Sequence, residues 1–156
     1  MASLNYLTIQ DILWINLQVT KKVQHFNYAR LEEATFYQYA YGESNTLFPQ
    51  AARFVSGFVK MHPFDAGNDA TAFVACLAFL KINGYLAAPN ADLAHWFNES
   101  MSGKSAIDQV AVPDPDAHHG LSPDVHGAVN EIVAAHSAVV DSLVEPSVGT
   151  PDEAAS

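Results

Sequence analysis

From Phe73 to Leu80 the chain is apolar without interruption, so a helix through this stretch has no polar face. A helix that is hydrophobic all round has to be enclosed by its neighbours. This one is too short to span a bilayer and ends at Lys81, so those neighbours must be protein. The spacing predicts a buried central helix over Asp69 to Asn83, closed by Gly84. Any fold open to this chain wraps other elements around that helix.

With 156 residues there is enough chain for one domain with a real core. Thr8, with Asp11 three residues on, forms a capping-box pattern. It opens a helix through Ile12, Leu13, Ile15, Leu17 and Val19. A second helix is expected from about Ala29 to Tyr39, burying Leu31, Ala34, Phe36 and Tyr37, and Gly42 to Thr46 reads as a loop. Pro49 starts a third helix, with Ala51, Phe54, Val55, Phe58 and Val59 at helical spacing up to Lys60. A further helix covers Asp92 to Met101, with Leu93, Trp96, Phe97 and Met101 on one face.

Three prolines between Val112 and Pro123 mark a linker. Ser122 as cap and Pro123 at the first position then start a last helix, with a stripe of Val125, Val129, Ile132, Val133, His136, Val139, Val140 and Leu143. No strand-like alternation and no internal repeat is visible. The reading is all-α: a helical domain over 4–110, a Pro-rich linker over 111–123, a C-terminal helix over 124–144, and an acidic tail over 145–156 expected to be disordered. The last helix is expected either to complete the core or to form a homodimer.

The net charge of −10, with seven Lys and Arg in all, argues against nucleic acid and against an anionic membrane surface. It leaves room for a triphosphate, which needs only a local positive site. Met1 to Asn5 has no basic segment of the kind a secretory leader carries. Cys76, the single cysteine, sits inside the apolar stretch and reads as a small core residue. A reducing, cytoplasmic setting is expected.

The chemistry is expected in Met61 to Asn68. Pro63 and Gly67 prevent this segment from being regular helix. The helix that follows aims its free N–H groups back at Gly67 to Thr71, an arrangement that favours phosphates. Gly67 lets a ligand approach the backbone, and the Asn68 amide can donate to a phosphate oxygen. His62 stands where it could act as general base for an attacking hydroxyl. Plainer readings stand beside these. His62 can be a leftover, partly buried histidine in a decayed site, Asn68 a turn residue, Asp65 and Asp69 solvated turn acids, and Asp69 a helix cap. His118, His119, His126 and His136 show no recognised metal-ligand spacing and read as solvated. Trp14, His95 and Trp96 read as packing residues.

The run His62-Pro63-Phe64-Asp65-Ala66-Gly67-Asn68-Asp69-Ala70-Thr71-Ala72 resembles the Fic/Doc signature, H-P-F-x-[D/E]-G-N-[G/K]-R-T-A, closest to its death-on-curing branch. Tyr6-Leu7-Thr8 with Asp11-Ile12-Leu13, Leu31-Glu32-Glu33-Ala34, and Phe79 to Tyr85 extend the likeness over about Leu4 to Gly103. The resemblance implies a Fic/Doc-type helical bundle with one added C-terminal helix. It implies a transferase that uses ATP or another nucleoside triphosphate with magnesium to phosphorylate or AMPylate a protein hydroxyl. In the death-on-curing branch the target is a translation factor, and a partner antitoxin blocks the enzyme. By the same resemblance His62 activates the hydroxyl, Phe64 packs into the core and holds the loop, and Gly67, Asn68 and Thr71 contact phosphates.

Three positions depart from the pattern. The acidic metal-holding position is Ala66, leaving Asp65, one place earlier, as the metal candidate. The Gly or Lys position is Asp69, and the Arg position is Ala70. A unit charge at ~4 Å is worth about 4 kcal/mol at an effective dielectric near 20, before desolvation and screening. A helix N-terminus contributes ~1 kcal/mol per charge and at most about 2. A catalytically impaired pseudoenzyme, keeping the fold and acting as a protein-interaction or regulatory module, is therefore the alternative to the transferase. The family's inhibitory pattern, [S/T]-x-x-x-E-[G/N], does not occur.

Overall fold

The computed structural model describes residues 4–39, 47–89, 91–101, 107, 110–115 and 124–144. Among these residues the chain forms seven helices and one two-stranded sheet. Apart from that ribbon the described chain is helical, as its sequence predicts.

Helix α1 (Ile9–Thr20) begins at Thr8, whose hydroxyl accepts from the Asp11 N–H while the Asp11 carboxylate accepts from the Thr8 N–H. This reciprocal cap satisfies two of the donors a helix start leaves open. Helix α2 (Tyr28–Phe36) is capped by the Asn27 side chain and stops three residues short of the expected Tyr39. There Gln38, fully buried, hydrogen-bonds both backbone groups of Leu7. Burial of Phe36 is a misreading: it is 52% exposed, because the inward face of α2 runs through Leu31, Ala34 and Thr35. Helix α3 (Leu47–Met61) buries Ala51, Phe54, Val55 and Phe58.

Helix α4 (Asn68–Lys81) is the centre of the molecule, with every residue from Ala70 to Leu80 buried. Helices α1 and α3 pack on it directly. It ends at Ile82 rather than at Gly84; the turn runs on two residues, and Gly84 then takes φ +93° with its N–H donating to the Lys81 carbonyl. Strand β1 (Tyr85–Ala87) pairs antiparallel with β2 (Ala111–Pro113), Leu86 opposite Val112. No alternation in the sequence marks these strands, and β2 lies where a linker is expected to begin, at 111. A proline is tolerated because a two-stranded ribbon leaves an outer edge that needs no donor. The remainder of that linker from 116 to 123 lies outside the described residues, as does the tail over 145–156.

Helix α5 (Leu93–Met101) sets Trp96 and Phe97 around Phe73, ring centroids 6.4 and 5.5 Å away. The expected single C-terminal helix is two, α6 (Val125–Ala135) and α7 (Ser137–Val144), separated at His136, whose backbone leaves the helical region at φ −124°, ψ 32°. The cap of α6 is Asp124, accepting from the Gly127 N–H; Ser122 lies outside the described residues. Val129, Ile132 and Val140 are buried in the same core as α4. The stripe thus completes the core in part, while Val125, Val133, Val139 and Leu143 are half-buried. Lys81 ties the C-terminal end of α4 to its surroundings through Asp114 (3.7 Å) and Glu131 (3.2 Å).

Candidate functional site

The segment 62–67 joins α3 to α4, and each side chain in it has a distinct placement. His62 is exposed and takes a left-handed conformation, φ +49°. It ends α3 by donating its N–H to the Phe58 carbonyl (3.2 Å), and Pro63 after it prevents the helix from continuing. Histidine is one of the few side chains enriched in this region of backbone space. Arg30 covers the same helix end, its guanidinium donating to the Met61 carbonyl at 3.0 Å.

Phe64 is 2% exposed and lies 5.9 Å from the Phe26 ring and 6.5 Å from that of Phe58. Its backbone forms a short antiparallel bridge with Phe26. Asn27 donates to the Pro63 carbonyl at 2.9 Å, and Asp65 to the His25 carbonyl at 3.0 Å. The chain between α1 and α2 therefore forms one wall of the loop.

Gly67 caps α4 at φ +79°, a conformation that disfavours other residues. A Cβ there would collide with the Thr20 methyl. Asn68 is buried, and its amide bonds Phe64 through both polar atoms: the oxygen accepts from the Phe64 N–H at 2.9 Å, and the nitrogen donates to the Phe64 carbonyl at 2.7 Å. Thr71 is fully buried and accepts from the Asn16 amide at 3.1 Å. Asn16 also donates to the Ala66 carbonyl at 3.1 Å. The polar side-chain atoms of Asn68 and Thr71 thus hydrogen-bond within the fold. What remains for an anion is the first turn of α4, whose N–H groups have no intrahelical partner.

That turn already holds a negative group. Asp69 is half-buried in it. Burial pushes its carboxyl pKa above the ordinary value, and the opposing pull of His62 is smaller. Ala70, at the motif's Arg position, is fully buried, so a long side chain there would displace its neighbours. Asp65 is exposed. Among the described residues no group of three His, Cys, Asp or Glu side chains could hold a metal ion. The donor set does not fit a metal held by protein alone, since magnesium is usually bound by one or two carboxylates together with phosphate oxygens and water.

Asn16 and the 25–27 segment are the contributions that sequence reasoning missed. A polar residue between Ile12 and Val19 on the buried face of α1 was the available signal. Of the histidines expected to be solvated, the two that are described both pack against rings. His126 is exposed but stacks on Trp14 at 3.9 Å, and His136 is half-buried, edge-on to Phe73 at 6.3 Å. His118 and His119 lie outside the described residues. Cys76 is fully buried, which pushes its thiol pKa up and leaves it no nucleophile. A separate cleft of about 190 Å³, lined by Leu77, Lys81, Tyr85, Glu131, Ile132 and His136, lies at the far end of α4. No helix among the described residues is long and apolar enough to cross a membrane.

No curated protein and no solved structure matches the chain. A match to a family does emerge, over residues 6–80, from the residues before α1 across the loop nearly to the end of α4. The family that this stretch matches is Fic/DOC.

Proposed function

We propose that this chain is a Fic-type transferase of the death-on-curing kind, moving a phosphoryl or nucleotidyl group from a nucleoside triphosphate to a hydroxyl of another protein. The supporting observation is His62, an exposed imidazole held in a left-handed turn ahead of the first turn of α4. It would take the proton of the incoming hydroxyl as the new O–P bond forms and the bond to the leaving phosphate breaks. Gly67 and Asn68 would contact phosphate through the backbone at the helix N-terminus, with Thr71 and Phe64 holding the turn in place. Magnesium arriving on the triphosphate would neutralise phosphate charge, and Asp65, an exposed carboxylate of the same loop, would be its candidate ligand. By likeness to the death-on-curing branch the target is a translation factor, with an antitoxin as the blocking partner.

A second reading, a pseudoenzyme acting through protein partners, draws support from Asp69. Its carboxylate occupies the turn where the family carries a Gly or Lys, with Ala66 and Ala70 beside it.

Thermal shift with ATP and magnesium separates the two. A ligand at about 100 times its Kd stabilises the native state by about 2.7 kcal/mol. No rise in Tm at millimolar ATP would sink the triphosphate-dependent enzyme. Ala66→Asp with Asp69→Lys should then create binding if the loop is a disabled phosphate site. In cells, growth arrest on expression that persists in His62→Ala would remove the catalytic-base assignment.

A further inference from the structure

In this strongly acidic chain the cations are not spread evenly. Four of the seven Lys and Arg stand around the loop. Lys21 and Lys22 follow α1, just where the Thr20 methyl abuts Gly67. Arg30 reaches over the end of α3 to Met61, and Lys60 lies in the last turn of α3, two residues before His62. Among the described residues none of these four cations takes part in an ion pair, unlike Lys81 at the opposite end of α4. Lys21 and Arg30 donate to the carbonyls of Gln18 and Met61, and helix C-termini favour cations. That anchors the side chains without neutralising their charge.

Three large apolar side chains lie between the cations. Val23 is 84% exposed, Phe26 41% and Tyr28 57%. One exposed apolar residue needs no explanation, but three within six residues, rimmed by cations, mark an interaction surface. Their backbone is fixed to the loop by the pairing of 25–27 with 63–65.

We propose that this rim is a docking surface for an acidic segment of another protein, its carboxylates set on Lys21, Lys22, Arg30 and Lys60 and its apolar side chains on Val23, Phe26 and Tyr28. Charge decides among the occupants. A chain of net charge −10 repels a long polyanion such as RNA and an anionic bilayer presented to its whole face. A short acidic segment meets only the rim, because charges beyond about 10 Å are screened at ordinary ionic strength. A second copy in a two-fold contact would bring like charges together. Asp65 and Asp69 keep the segment's carboxylates on the rim and off the floor of the loop. The inference rests on where the loop lies and holds whether or not the loop transfers a group.

The test is selection from a random peptide display library on the full chain, without nucleotide. The expected winners combine Asp or Glu with aliphatic or aromatic residues. Their synthetic versions should lose roughly 10-fold in affinity to a Lys22→Glu, Lys60→Glu double variant, about the loss expected from two reversed rim charges. Val23→Ser with Tyr28→Ser should weaken them as well. All four positions are exposed, and an unchanged melting curve verifies the fold of each variant. Absence of enrichment, enrichment of neutral or basic peptides, or binding that survives charge reversal overturns the proposal. So does preferential binding of a short RNA or of phosphatidylserine vesicles at the same salt.

Discussion

Asn68 holds both backbone polar groups of Phe64, accepting from its N–H and donating to its carbonyl. One side chain thereby closes the turn and satisfies two buried groups that regular helix cannot reach. A buried backbone group left without a partner costs about 1–3 kcal/mol. Asn68→Ala is therefore expected to lower unfolding stability by about 2–4 kcal/mol in urea titration. A change in ligand binding alone, with stability untouched, would contradict the structural role.

Gly67 faces two separate constraints, and they can be pulled apart. Its left-handed backbone costs another residue roughly 1–2 kcal/mol, and a Cβ would collide with the Thr20 methyl. Gly67→Ala should cost about 2–5 kcal/mol in the wild type, the collision adding an overpacking term. Thr20→Ser removes the methyl while keeping the hydroxyl. In that background the same substitution should cost only the backbone share. A double-mutant cycle on Tm or urea midpoint reads the difference, and additivity would show that the methyl does not matter.

The half-buried carboxyl of Asp69 makes a prediction with a definite sign. Its folded pKa lies above the ordinary value, with burial as the main cause. The folded state therefore holds this proton more readily than the unfolded chain. The contribution is fully present below the ordinary carboxylate range and is lost as pH rises through the raised pKa. Asp69→Asn lacks that loss, so its Tm relative to wild type should climb from about pH 3.5 to 7. A difference independent of pH would place the carboxylate in open solvent.

His136 works in the opposite direction. Burial lowers its pKa, so its contribution to stability is present above the ordinary histidine value and lost as pH falls through the folded value. Lys81 and Glu131 line the same cleft. Acidification below about pH 6.5 should loosen α6 and α7 first, seen as faster hydrogen exchange there, and His136→Gln should remove that sensitivity. Equal acid sensitivity in the variant would assign the effect to other groups.

Much of the architecture was legible because some residues leave one option. An all-apolar segment such as Phe73 to Leu80 has to be the centre, and Pro63 with Gly67 has to break a helix. The strands at Tyr85 and Ala111 were hidden, since three residues are too few to show a period of two. Phe36 misled because apolar character alone does not say which face of a helix turns inward. At the site, His62 and Gly67 could be found by type and position. The engagement of Asn68 and Thr71 could not, because it depends on Phe64 and on Asn16, whose nearness to the loop exists only after folding.

Helices α6 and α7 lie well beyond the stretch that matches the family, yet Val129, Ile132 and Val140 close one side of α4. Ancestry and folding therefore draw different borders in this chain. A fragment ending with the family stretch would keep the motif but leave one flank of its central helix open to water. The later helices are a wall of the same building, and the loop is only as firm as the helix that they help keep dry.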